Sequence, residues 1–169
     1  RFDLFLQDVK PFTDQSDFNA FKSAEIVKGL VIPGGGKYSR KNIDGFTDFV
    51  KKYKAKGLAW MKAEEGQLTG GISKFFGEKL QKELIANTGM NDGDIIFIVG
   101  DEKEITLTAL GALRVELGKL EGLSDTGEFR QAWVTNLPLF VFDYSPNSFV
   151  ARHIPFSAPS SSNINEVER

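Results

Sequence analysis

Seven cations, Lys37, Arg40, Lys41, Lys51, Lys52, Lys54 and Lys56, crowd into residues 37–56. Such a cluster can hold RNA phosphates, because each phosphate it neutralises releases a condensed counterion and makes binding salt-sensitive. The plainer reading is a solvated helix face on which Asp44 and Asp48 offset the lysines at helical spacing. Just ahead, Gly34, Gly35, Gly36 and Lys37 form a glycine-rich turn before a helix, where backbone N–H groups can cradle phosphate. The spacing refuses a nucleotide loop. A Walker A sequence would need glycine at Val31 and Ser or Thr at Tyr38, and G-x-G-x-x-G fails at Ser39, so a plain turn is expected.

His153 is the one histidine and cysteine is absent, so the chain lacks the clustered ligands of a zinc site. Asp92 and Asp94 flank Gly93 without the remaining oxygen ligands of a calcium loop, which again reads as a turn. No G-x-S-x-G elbow accompanies His153. Neither a catalytic residue nor a metal centre is expected within the chain. Taken alone, a histidine near a strand end before Pro155-Phe156 reads as packed or hydrogen-bonded.

These residues must be positioned by regular elements. Ser39 stands where a helix N-cap should be, and Ile43, Phe46, Phe49, Val50 and Tyr53 then recur on one face of a 3.6-residue repeat. Lys56-Gly57 reads as the stop, and residues 58–63 as the strand that follows. Residues 26–32 and 95–99 are apolar and of strand length, the second expected in the centre of a sheet, and residues 67–72 suit a short strand. Ser73 is expected to cap a helix carrying Phe76, Leu80 and Leu84 and closed by Gly89; Leu110, Leu113, Leu117 and Leu120 mark another, ending at Gly122. Strands and helices thus alternate, which argues for two layers with the helices on one face of the sheet.

Residues 1–9 read as a strand free to join another domain's sheet. Residues 14–24 hold a helical turn at most. Residues 129–136, 139–142 and 148–154 are strand-like, forming a hairpin that needs a further sheet for stability. Trp60 and Trp133 fall in strand patterns and are expected in the core. The tail, 157–169, has no periodicity and is expected to be flexible.

The totals bound the rest. A chain of 169 residues is one large domain or a small one with extensions. Twenty-one Lys and Arg against 23 Asp and Glu leave a net charge of -2, so any RNA contact must be local. The missing cysteine fits a reducing cytoplasm. No leader and no apolar run near the ~18 residues of a membrane span occurs. The opening Arg1 suggests a processed chain or an excised fragment.

The order of several segments carries a resemblance. PGGGKYSRKNIDGFTDFVKKYKAKGLAWMK, GGISKFF, TGMNDGDIIFIVGD and ALGALRVELG resemble the GAD insertion domain of bacterial-type aspartyl-tRNA synthetases. WVTNLPLFVFD and ARHIPFSAP resemble the return of that enzyme's chain to its catalytic domain. The resemblance implies an α+β fold: a two-layer, DCoH-like sandwich of mainly antiparallel sheet with helices on one face, plus flanking strands from a class II catalytic domain. It divides the chain into a junction (1–24), the insertion domain (25–122) and a return segment with its tail (123–169).

It also implies a parent that activates L-aspartate with ATP and Mg²⁺ and transfers it to tRNA-Asp, in the cytoplasm and as a homodimer. The class II motifs and an anticodon-binding barrel are missing from these residues, so the isolated chain is expected to be inactive. By the same resemblance, His153 matches the first of two adjacent histidines that help recognise the substrate aspartate, a role open to an imidazole N–H facing a carboxylate. Ile154 stands in place of the second. Asn136, Leu137 and Val141 replace an acidic residue, an aromatic residue and a glutamate of the usual pattern. The alternative from another class is the non-catalytic RNA-binding GAD module of a tRNA-dependent amidotransferase, which lacks the return carried by residues 131–159.

Overall fold

The apolar run Ile95-Ile96-Phe97-Ile98-Val99 is buried at every position. A strand of that kind needs cover on both faces. In the computed structural model, which describes residues 2–123, 127, 131, 133, 135, 140–143 and 147–151, the run lies at the centre of a five-stranded antiparallel sheet. The strands are β1 (Leu6–Asp8), β2 (Ile26–Ile32), β3 (Ala59–Glu64), β4 (Gln67–Thr69) and β5 (Ile95–Asp101), in the order β1-β2-β5-β3-β4. The helices are α1 (Lys10–Thr13), α2 (Arg40–Lys51), α3 (Glu78–Thr88) and α4 (Lys103–Leu120). All belong to the first of two compact units, Arg1–Glu128.

β5 pairs with β2 over its full length, Ile26 opposite Asp101 through Ile32 opposite Ile95. On its other edge Trp60 of β3 lies opposite Phe97. Because side chains alternate along a strand, Ile95, Phe97 and Val99 share one core with Ile43 and Val50 of α2 and Leu110, Leu113 and Leu117 of α4. Ile96 and Ile98 share another with Met61, Phe76, and Leu80 and Leu84 of α3. The α+β class and the antiparallel sheet are therefore as expected, but the helices are not confined to one face. Two cover one side and α3 covers the other, which is what a doubly apolar central strand requires.

Three boundaries also differ from expectation. Ser73 begins a 3-10 turn, Ser73–Phe75, and Gly77 is the residue before α3. The strand expected over 67–72 stops at Thr69 because Gly70 and Gly71 turn with φ of 70° and 49° beneath Trp60. A Cβ on Gly71 would collide with the Trp60 carbonyl. α2 ends at Lys51, ahead of the expected Gly57 stop, and Lys54 takes the left-handed conformation (φ 69°) that glycine usually supplies.

The amino-terminal strand is not left for another sheet. β1 pairs with β2, Leu6 opposite Leu30. Ahead of it, Arg114 of α4 donates hydrogen bonds to the carbonyls of Leu4 and Phe2. The Phe2 ring rests on Gly118, where an added Cβ would collide with it.

The second unit, Phe129–Arg169, contains β6 (Phe140–Asp143) and β7 (Ser148–Ala151), paired antiparallel with Phe140 opposite Ala151. This is the hairpin the sequence suggested. Residues 131, 133 and 135 lie in no strand, and Trp133 is 96 % exposed. The core position expected for Trp133 is thus overturned: among the described residues beside it, none lies in a strand that could bury it. The tail, 157–169, lies outside the described residues.

Candidate nucleic-acid interface

The glycine-rich turn is held from within. Gly34 is left-handed (φ 65°), and its N–H donates to Asp94 Oδ1 at 2.8 Å. The Gly36 N–H donates to the Gly93 carbonyl at 2.7 Å. A Cβ on Gly36 would stand 2.7 Å from that same oxygen, and one on Gly35 would collide with Ile95. The glycines therefore permit close packing against β5 and its preceding turn, and the amides of Gly34 and Gly36 are committed to protein acceptors. Asp94 Oδ2 accepts from Asn91 N–H at 2.8 Å, and Asp92 Oδ1 accepts from Gly66 N–H at 2.9 Å. Both acids serve turns.

α2 begins immediately after this turn. The Ser39 hydroxyl oxygen accepts from Asn42 N–H at 3.3 Å while Asn42 Oδ1 accepts from Ser39 N–H at 3.0 Å, a reciprocal cap that fixes where the helix starts. Ile43 and Val50 face the core, and Phe46 and Phe49 pack at its margin. The charged residues are thereby turned outward.

The seven cations do not form one patch. A helix of this length spans about 17 Å, so Lys37, Arg40 and Lys41 sit at one end and Lys51, Lys52, Lys54 and Lys56 at the other. Four are paired: Lys37 with Glu121 at 2.6 Å, Arg40 with Asp44, Lys51 with Asp48 and Lys56 with Asp101, each at 3.2 Å. Lys41, Lys52 and Lys54 have no ion pair among the described residues. The solvated-face reading holds for Arg40 and Lys51 at i,i+4 and i,i+3 spacing. Lys37 and Lys56 are offset by acids distant in sequence, which leaves Lys41, Lys52 and Lys54 as the uncompensated charges of the seven.

At the first end, an open groove of about 640 Å³ between α2 and α4 is lined by Lys37, Tyr38, Lys41, Phe46, Leu120 and Glu121, among others. Tyr38 donates its hydroxyl hydrogen to Glu121, which also receives Lys37. Burial and then the Glu121 hydrogen bond push the Tyr38 hydroxyl far above the usual tyrosine range. Burial pushes the Glu121 carboxyl up, but the hydrogen bonds from Lys37 and Tyr38 outweigh it and hold the group below the usual glutamate range.

Trp60 is half-buried at the edge of the core. Gly70 lies close enough that an added Cβ would be 2.6 Å from the indole, and Arg40 and Lys62 lie 5.9 and 6.0 Å from its centre. Lys62 donates to the carbonyls of Gly36 (2.6 Å) and Tyr38 (3.0 Å), fixing the turn to β3.

Sequence reasoning missed Lys62 and Glu121. Their roles come from long-range contacts, although Glu121 beside Gly122 at a helix end was a visible candidate for pairing with a lysine. His153 lies outside the described residues.

A GAD domain profile matches residues 18–110, more than half of the chain. The chain belongs to the GAD domain family. The match covers β2 to β5 with α2 and α3, so both ends of the basic helix lie inside the GAD region. Across 173 residues, 99 % of this chain, it is 44 % identical to the aspartate–tRNA ligase of Halalkalibacterium halodurans, covering 29 % of that protein. It is 43 % identical over 159 residues, 94 % of the chain, to the aspartate–tRNA(Asp/Asn) ligase of Nitratidesulfovibrio vulgaris, covering 26 % of it. The aspartate–tRNA ligase of Streptococcus suis is 36 % identical over 169 residues, again 99 % of the chain and 29 % of the relative. The GAD chain thus spans less than a third of the length of these curated relatives.

Among the described residues no group of three or more His, Cys, Asp or Glu side chains could hold a metal ion, and the amides of Gly34 and Gly36 are engaged by protein acceptors. No described helix is long and apolar enough to cross a membrane.

Proposed function

We propose that this chain is the GAD insertion of an aspartate–tRNA ligase, a longer class II enzyme that joins L-aspartate to tRNA-Asp with ATP and Mg²⁺. The observation that carries the reading is the extent of the similarity. It runs over 94–99 % of the chain in aspartate–tRNA ligases, well beyond residue 110 where the GAD match ends. That continuation also disfavours the amidotransferase module, which lacks the return over residues 131–159.

In this reading residues 1–24 are the junction, 25–122 the insertion and 123–169 the return, whose strands join the catalytic domain's sheet. The parent is a cytoplasmic homodimer with tRNA as its macromolecular partner. His153 helps to recognise the substrate aspartate, a role open to an imidazole N–H that donates to a carboxylate. Lys37, Arg40, Lys41, Lys51, Lys52, Lys54 and Lys56 supply local phosphate contacts to the tRNA.

The test is aminoacylation. The full-length protein containing this chain is expected to charge tRNA-Asp with aspartate, while the purified 169-residue chain supports no aspartate-dependent ATP–pyrophosphate exchange. Exchange by the isolated chain would overturn the division of labour. Replacing Lys41, Lys52 and Lys54 with Gln should weaken tRNA binding and flatten its salt dependence; unchanged affinity would make the insertion a scaffold. Replacing His153 with Ala should raise the KM for aspartate more than that for ATP.

A further inference from the structure

Charge and ring alternate at the end of α2. Lys51, Lys52, Tyr53 and Lys54 are consecutive, with Lys56 two residues on. Tyr53 is 37 % exposed, and its ring leans on the half-buried Phe49, centroids 5.4 Å apart and planes tilted by 51°. Lys52 Nζ lies 6.0 Å from the Phe49 ring centre. Thus the tyrosine is braced on one side by a residue that is itself packed on the core.

The charges around it are unbalanced. Lys51 reaches the exposed Asp48, and Lys56, whose side chain is 83 % exposed, reaches the buried Asp101. Lys52 and Lys54 have no ion pair among the described residues. A helix C-terminus favours nearby cations by its dipole, which accounts for Lys51 and Lys52. It does not account for an exposed aromatic ring, nor for lysines in the loop beyond the helix, one of them in a backbone conformation glycine would hold at less cost.

We propose that residues 51–56 grip an unpaired stretch of RNA, with a base stacked on the Tyr53 ring and flanking phosphates on Lys52 and Lys54. Aromatic rings set among lysines bind single strands in this way, because every base offers a π face. Paired RNA keeps its bases stacked on one another and offers Tyr53 no face. The inference rests on the RNA contact proposed above and narrows it to single-stranded RNA at one end of α2.

The experiment measures fluorescence anisotropy of a short labelled RNA, single-stranded or annealed to its complement, with the full-length protein. Tyr53→Leu keeps apolar packing on Phe49 while removing the ring; Tyr53→Phe keeps the ring. Tyr53→Leu should weaken single-strand binding about tenfold and leave duplex binding unchanged, with Tyr53→Phe close to wild type. Lys52→Gln with Lys54→Gln should reduce the salt slope for the single strand by about 1.4. If the lysine pair matters and Tyr53→Leu does not, the stacking inference falls and the phosphate contact stands. If neither variant changes binding, both fall. Equal weakening of single strand and duplex by Tyr53→Leu would overturn the single-strand preference.

Discussion

The guanidinium carbon of Arg114 lies 4.2 Å from the centre of the Phe2 ring. With donation to the carbonyls of Phe2 and Leu4, this contact makes the incoming chain part of the unit that α4 completes. Arg114→Ala should cost about 2 kcal/mol, since charge-assisted hydrogen bonds and a cation–π contact are lost together. Urea denaturation measures the cost. Hydrogen exchange should show faster opening at Leu4 with little change in β5; uniform protection across both would contradict the assignment.

Gly118 and Gly111 should respond oppositely to alanine. At Gly118 a Cβ collides with the Phe2 ring, whereas at Gly111 it meets nothing within 4 Å. Both lie in α4. Gly111→Ala should stabilise by about 0.5–1 kcal/mol through helix propensity. Gly118→Ala should forfeit that gain and displace Phe2, lowering stability by about 1 kcal/mol. Thermal melts of the two variants against wild type compare them directly.

Gly71 allows no side chain. Its φ is 49°, and a Cβ would run into the backbone oxygen of Trp60, which also accepts the Ile72 N–H at 3.2 Å. Gly71→Ala should destabilise by about 3 kcal/mol or more, combining backbone strain with a broken turn. Gly66→Ala, also left-handed but in open space, should cost less. Their denaturation midpoints test the order.

The Tyr38–Glu121 contact predicts losses of stability at both ends of the pH scale. Glu121 is depressed in the folded state. Its contribution is present above the ordinary glutamate range and lost as pH falls through the lower folded value. Tyr38 is raised, so its contribution is present below the ordinary tyrosine value of about 10 and is lost as pH rises through the folded value. Glu121→Gln should flatten the acid limb of a stability–pH curve, and Tyr38→Phe the alkaline limb. Limbs unchanged in both variants would show that the contact does not couple to folding.

Local chemistry made much of this fold legible. Ser39 announces the start of α2, and the unbroken run after Asp94 announces the central strand. What stayed hidden depends on distant partners. That run gave no indication of which helices would cover each of its faces, so the place of α3 opposite α2 and α4 was not readable. Nor did Gly70 and Gly71 disclose the indole above them, without which residues 67–72 read as a continuous strand. At the interface, the charges were visible but their pairing was not: Glu121 is far from Lys37 in sequence, and only the fold shows that this lysine is engaged while Lys52 and Lys54 are not.

Phe2 packs on Gly118, so the first described residues of this unit lie beside the last turns of α4. Entry and exit placed so close together let the unit sit within a longer chain without holding apart the residues that flank it.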